Sequence, residues 1–258
     1  DALAHTLACR GHSSYFCILN AGRLLVYPCK FGSVQSEGFQ VSVGAHALGF
    51  IIDLQNGLIN IAKRQNASDA AHLHNVLSKT LRTVAKEILG KKVFGESPHG
   101  PDEVLALVGR ALFARFLLDR QIINEQTFPV FFKKFDATTC FESAAAATAV
   151  CEWLDKTFNG ELLQLAQAQG YEHYFEHVLS QDASALSPLQ WIMAKTDVGG
   201  QLSLWQYINF SFVPVGVLSE VYEDFAHAYR QEEAREESVH YTPRHIAEPL
   251  VEQVFLGL

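Results

Sequence analysis

Leu73-His74-Asn75-Val76-Leu77-Ser78-Lys79-Thr80-Leu81-Arg82-Thr83-Val84-Ala85-Lys86-Glu87-Ile88-Leu89-Gly90 is the stretch on which the fold turns. Leu73, Val76, Leu77, Leu81, Val84, Ile88 and Leu89 recur at intervals of three and four, the spacing that gathers side chains on one face of an α-helix. Gly90 closes the stripe, as glycine commonly ends a helix. Before this point apolar residues alternate at a period near two; from Asp69 onward the period is nearer four. The chain changes there from strand-forming to helix-forming.

Downstream the helical pattern persists. Glu96 to Pro101, with two prolines and a glycine, reads as a loop, and Asp102 opens a strongly apolar helix over Glu103 to Ile123. Alanine-rich Ser143 to Leu154 predicts a third helix, Leu162 to Ala168 a fourth, and Ser187 to Ala194 a short later one. Gly199-Gly200 breaks the pattern. Pro214 then starts a long helix through Val217, Leu218, Val221, Tyr222 and Phe225, which runs into the charged stretch Arg230 to Glu237.

Upstream, the first sixty or so residues read as strands. Ser14 to Leu19 and Arg23 to Tyr27 flank Asn20-Ala21-Gly22, a short turn in which glycine can take positive φ. Phe39 to Val43 alternates apolar with polar. Leu48 to Asp53 and Leu58 to Ala62 flank Asn56-Gly57, the strongest short hairpin signal in the chain. The expected fold class is α+β, with a small N-terminal β-sheet domain (residues 1–66) followed by a predominantly helical domain (residues 67–237).

Hydrophobic content of 48% with 19% charged residues fits a globular protein that buries a sizeable core. No apolar run is long enough to span a bilayer, and no signal segment opens the chain, so no membrane partner is expected. The five cysteines (Cys9, Cys17, Cys29, Cys140, Cys151) contain no C-x-x-C pair. Their odd number and irregular spacing fit buried, reduced thiols and a cytoplasmic setting. The chain starts at Asp1 and holds methionine only at Met193, which suggests a processed or excised piece. A net charge of −8 argues against a long DNA grip by this piece alone, because phosphate contacts dominate such affinity. It leaves room for a local basic patch.

Several kinds of chemistry are missing from the sequence. None of the 17 glycines stands two residues from another, so there is no Gly-x-Gly turn of the kind that brings backbone against S-adenosylmethionine. None of the eight prolines is adjacent to another, so the Asn/Asp-Pro-Pro-Tyr/Phe loop that holds a target amine is absent. No lysine has Asp or Glu two residues before it, as a magnesium nuclease requires. The nearest substitute, Asp53 with Glu37, reads more simply as a strand end before a turn. His72 and His74 point in different directions on a helix. His173 and His177 can share a face but lack a third ligand, and His240 and His245 straddle a helix start. Neither a metal site nor a catalytic residue is expected.

Basic residues form two groups: Lys79, Arg82, Lys86, Lys91 and Lys92 around the end of one helix, and Arg110, Arg115, Arg120, Lys133 and Lys134 around the next. Cations near a helix C-terminus are expected on dipole grounds alone, and a solvated face is their simplest reading. As DNA-contact candidates the strongest are Lys91, Lys92, Arg110, Arg115, Lys133 and Lys134.

Near the C-terminus, Ser238-Val239-His240-Tyr241-Thr242-Pro243 leads into an amphipathic helix. Thr242 can cap it and Pro243 suits its first position. The words resemble the "YYTP" segment of adenine-specific (N6) DNA methyltransferases. Leu107-Val108-Gly109-Arg110-Ala111-Leu112-Phe113-Ala114-Arg115-Phe116-Leu117-Leu118-Asp119-Arg120 is similar to a "gRllFlrFLedrg" helix upstream in the same family. Phe210 to Phe225 resembles its "ipvevLs.iYE.f" segment, and Tyr15 to Tyr27, more weakly, a strand pair near its start. The order and spacing match the region that leads into the methylase domain. The family's first tyrosine is His240 here, and Pro249 inside the last helix should kink or shorten it.

The resemblance implies that this chain is the N-terminal, non-catalytic portion of a restriction–modification type N6-adenine DNA methyltransferase. Residues 238–258 would be the turn and helix leading into an absent methylase domain. S-adenosylmethionine and DNA would then be the cofactor and substrate of the full-length protein, with no cofactor on this piece. It also implies that Tyr241, Thr242 and Pro243 line the methionine end of S-adenosylmethionine. The alternative is a catalytically inert DNA-binding or protein-interaction module.

Overall fold

A computed structural model describes residues 2–10, 15–20, 23–29, 39–42, 73–97, 99–158, 163, 165, 169–196, 204–229, 249 and 253. Helix α1 (Ala2–Arg10) comes first, followed by strands β1 (Tyr15–Asn20), β2 (Arg23–Pro28) and β3 (Phe39–Ser42). The strands form one antiparallel sheet in the order β1-β2-β3, with Tyr15 opposite Pro28, Asn20 opposite Arg23 and Val26 opposite Phe39. Leu24 and Val26 are buried while Leu25 and Tyr27 are half-exposed, the alternation of a sheet that covers one face. The hairpin and β3 stand where the sequence puts them.

The expectation of strands throughout the first sixty residues is corrected at Ala2–Arg10, which is helical. Its alanines and leucines are good helix formers, and tertiary contacts fix it. Cys9 accepts the Asn209 N–H at 3.4 Å, and His5 hydrogen-bonds the Tyr207 carbonyl. Ala8 and Cys9 belong to the core cluster of the helices, whereas Leu24 and Val26 do not. The expected strands over Leu48–Asp53 and Leu58–Ala62, with Asp53, Glu37 and the Asn56-Gly57 turn, lie outside the described residues. So does most of the helix expected over Leu162 to Ala168.

The helical body begins with α2 (Leu73–Leu89), which buries Leu73, Val76, Leu77, Leu81, Val84 and Ile88 of the predicted stripe and leaves Leu89 half-buried. A single turn, α3 (Lys92–Gly95), links it to α4 (Gly100–Asp119). A Cβ on Gly100 would lie 1.9 Å from the Phe94 carbonyl oxygen, so only glycine lets α4 start against α3. Pro101 near the first position and Asp102 and Glu103 in the first turn suit a helix start. The helix therefore begins three residues earlier than the Glu103 start predicted. It also ends earlier, at Asp119, because Gln121 adopts φ +60° and closes a Schellman turn. In that turn Ile122 N–H donates to the Leu117 carbonyl at 2.9 Å and Gln121 N–H to that of Leu118 at 3.0 Å.

Every residue from Val104 to Leu112 is buried, so α4 is the central helix of the body. Around it stand α5 (Pro129–Phe132), α6 (Ala144–Phe158), α7 (Tyr171–Gln181), α8 (Ser187–Met193) and α9 (Val215–Tyr229). Helix α5 leans on α6 through stacked Phe128 and Trp153, 5.3 Å between centroids. Helices α2, α8 and α9 pack directly on α4 or on one another. The described residues are thus mostly helical with a small antiparallel sheet, and none of their helices is long and apolar enough to cross a membrane.

Candidate functional site

Two polar joints are built on α4, and both use residues of the Leu107–Arg120 stretch. In the first, Arg110 is buried, with its side chain only 2% exposed. Its Nη2 donates to Asp155 Oδ1 on α6 at 2.7 Å, its Nε to the Leu163 carbonyl at 2.8 Å and its Nη1 to the Cys151 carbonyl at 3.4 Å. The Tyr171 hydroxyl of α7 donates to the other Asp155 oxygen, and the Tyr171 ring lies 5.1 Å from the guanidinium. Burial and the Asp155 carboxylate push the Tyr171 hydroxyl well above its ordinary value. One turn away, Tyr174 donates to Glu103 Oε2 at 3.0 Å. Burial raises Glu103 above the usual carboxylate range, and this hydrogen bond only partly offsets it.

The second joint closes the C-terminal end of α4. Asp119 accepts from Arg115, from Lys195 Nζ and from the Phe210 N–H at 3.0 Å. Burial pushes its carboxyl up, but Lys195, Arg115 and the amide together hold it below its ordinary value. Lys195, held at φ +54°, also donates to the Ile208 carbonyl at 2.7 Å. Burial lowers its pKa against the pull of Asp119. Arg115 reaches the Met193 carbonyl at 2.7 Å, and Arg120 reaches those of Val213 at 2.7 Å and Phe210 at 3.3 Å. These side chains thereby satisfy the carbonyls of Met193, Ile208, Phe210 and Val213, which lie outside the regular helices or at their ends.

Between α4, α6 and α9 lies an open cleft of about 360 Å³, walled by Phe113, Phe116, Phe158 and Leu218, with Asp155 and Tyr222 among its few polar groups. Gly109 lets it close at the base, since a Cβ there would meet Tyr222 Cε2 at 2.8 Å. Among the described residues that line it, the polar groups are engaged: Asp155 is held by Arg110 and Tyr171, Tyr222 donates to the Leu105 carbonyl at 3.4 Å, and Ser219 donates to the Val215 carbonyl at 3.2 Å.

The DNA-contact candidates separate sharply. Arg110 and Arg115 are engaged within the fold: Arg110 lies wholly inside and Arg115 is 16% exposed in its joint. A basic residue amid Val108, Gly109, Ala111 and Leu112 on an all-round apolar helix is forced inward. Lys91 bonds Ser184 Oγ at 2.8 Å and lies 3.7 Å from Asp182. Lys92 is exposed and 3.7 Å from Glu96, four residues on. Lys133 and Lys134 are exposed after α5. On α2, Lys79, Arg82 and Lys86 are exposed. Tyr241, Thr242 and Pro243, with His240 and His245, lie outside the described residues.

His173 and His177 do share a face, their rings stacked at 6.4 Å, but among the described residues no group of three His, Cys, Asp or Glu is placed to hold a metal. Cys9, Cys140 and Cys151 are buried free thiols as expected, whereas Cys17 is exposed and Cys29 half-buried. Asp155, Tyr171 and Lys195 were not singled out from the sequence. Their partners are 45, 16 and 76 residues away, with no local spacing to reveal them. Compared with protein-family models, with curated proteins and with solved structures, the chain gives no match.

Proposed function

We propose that this chain is the N-terminal, non-catalytic portion of an N6-adenine DNA methyltransferase of restriction–modification or phage-defence type. One observation carries the reading. The two longest stretches that resemble that family, Leu107–Arg120 and Phe210–Phe225, lie ninety residues apart in sequence and pack on each other. Arg120 donates to the Phe210 and Val213 carbonyls, the Phe116 and Phe210 rings meet edge to face at 6.3 Å, and Tyr222 sits over Gly109.

In this reading a β-sheet region up to residue 66 and a helical connector over 67–237 position a methylase domain that follows residues 238–258. The full-length protein binds S-adenosylmethionine and DNA, with Tyr241, Thr242 and Pro243 at the methionine end of the cofactor. This chain contributes scaffold and no catalytic group. The test is the coding sequence past Leu258. A strand ending in Asp-x-x-x-Gly-x-Gly, with Asn-Pro-Pro-Tyr/Phe further on, supports the assignment; a frame that closes without them overturns it. The second reading, an inert DNA-binding module, is favoured by the exposed cations of α2.

A further inference from the structure

We infer that the outward face of α2 is a contact surface for the phosphate backbone of duplex DNA, carried by Lys79, Arg82 and Lys86. All three are exposed and line one shallow groove of about 520 Å³ along the helix, which holds three cations against one exposed acid, Glu87, at its C-terminal end. At about 1.5 Å of rise per residue they stand about 4.5 and 6 Å apart along the axis. The row of about 10.5 Å covers about three phosphate steps of one DNA strand at about 3.4 Å each.

Three features set this row apart from an ordinary solvated face. First, Lys79 and Arg82 occupy the middle of a 17-residue helix, so the helix dipole accounts for Lys86 alone. Second, the residues three and four away from each cation include no acid. Lys79 faces Asn75, Arg82 and Thr83, while Arg82 faces Ser78, Lys79 and Lys86. The row therefore places like charges next to each other, an arrangement that disfavours the isolated helix. Third, among the described residues the neighbouring cations are paired and these are not. Lys91 has Asp182 and Lys92 has Glu96, and Asp224 of α9 is taken by His74 at 3.0 Å. Among the described residues, Lys79, Arg82 and Lys86 have no acidic partner. In a chain with 28 acidic and 20 basic residues, an unneutralised row of this kind fits a polyanion as its partner.

This inference makes the DNA-binding reading specific to one face. It is separable from the methyltransferase assignment, because it is tested by binding alone. The assay is fluorescence anisotropy of the 258-residue chain with duplex DNA of about 20 base pairs, between 50 and 200 mM NaCl. Three released counterions give a slope of about −2.7 in log K against log salt, or about a 40-fold loss of affinity across that range. The triple variant Lys79→Glu/Arg82→Glu/Lys86→Glu should lose binding at 50 mM, equally for unrelated duplex sequences. Lys133→Glu/Lys134→Glu should bind like the parent. Circular dichroism checks the fold, and the triple glutamine variant, which should lessen the slope by two or more, replaces the triple glutamate if that fails to fold. No binding by the parent at 50 mM, an unchanged slope in the triple variant, or an equal loss on changing Lys133 and Lys134 overturns the inference.

Discussion

Asp155→Ala should destabilise the protein by about 3 kcal/mol, and the size follows from the joint it breaks. Arg110 is 2% exposed and its guanidinium lies 2.7 Å from the carboxylate. Removing one partner of a buried pair costs about 3–5 kcal/mol, because the other charge is left without compensation. Two facts place this case at the lower end. The Asp155 side chain is 31% exposed, so water can take up part of the vacated space. Arg110 also keeps the Leu163 and Cys151 carbonyls. At about 2–4 °C per kcal/mol for a chain of this size, Tm should fall by about 6–12 °C.

The double variant Arg110→Met/Asp155→Ala separates pairing from packing. With no orphaned charge, its loss should be smaller than the sum of the single losses by about 1–2 kcal/mol. Urea unfolding followed by far-UV circular dichroism measures all three. A loss of under about 0.5 kcal/mol for Asp155→Ala, the range of an ordinary surface substitution, would refute the structural role given to Arg110. So would strict additivity in the double variant.

Gln121→Gly should stabilise the fold by about 0.5–1 kcal/mol, since Gln121 holds the left-handed position of the turn after α4 and glycine takes it without the Cβ penalty; a lower urea midpoint would count against that turn. Asp119, with its folded pKa below the ordinary value, contributes stability that is fully present above the usual carboxylate pKa of about 4 and is lost as pH falls through its lowered value. Asp119→Asn should therefore be less stable at neutral pH, and its gap to the parent should narrow in acid; a gap independent of pH contradicts the joint. Thiol labelling of the native chain should modify exposed Cys17 first and half-buried Cys29 more slowly. Cys9, Cys140 and Cys151 should react only on unfolding, since burial pushes the Cys151 thiol up to about 12; rapid native labelling of Cys140 or Cys151 would contradict their burial.

The helical body was legible wherever one face alone is buried. The stripe from Leu73 to Leu89 predicted α2, and the prolines and glycines around residue 100 marked the boundary of α4. Helix α7 carries Tyr171, Tyr174, Phe175 and Val178 at helical spacing, a stripe the sequence reading passed over, noting there only that His173 and His177 can share a face. Helix α1 was missed because its nine residues are fixed by contacts to Tyr207 and Asn209, about two hundred positions away. The same distance effect hid the joints. Arg110 looked like a surface cation until its carboxylate was found on α6. A sign was present all the same, since a charge among apolar residues on every side of a helix has to be buried with a partner. The row on α2 was part of a larger basic group in the sequence. Only the pairing of Lys91 with Asp182 and of Lys92 with Glu96 separates Lys79, Arg82 and Lys86 from it.

The most direct measurement is methyl transfer from labelled S-adenosylmethionine to DNA. The protein expressed from the uninterrupted coding sequence should be run beside this chain alone. The former should yield N6-methyladenine and the latter no transfer. Methylation by this chain alone, or none by the full-length product, would contradict it.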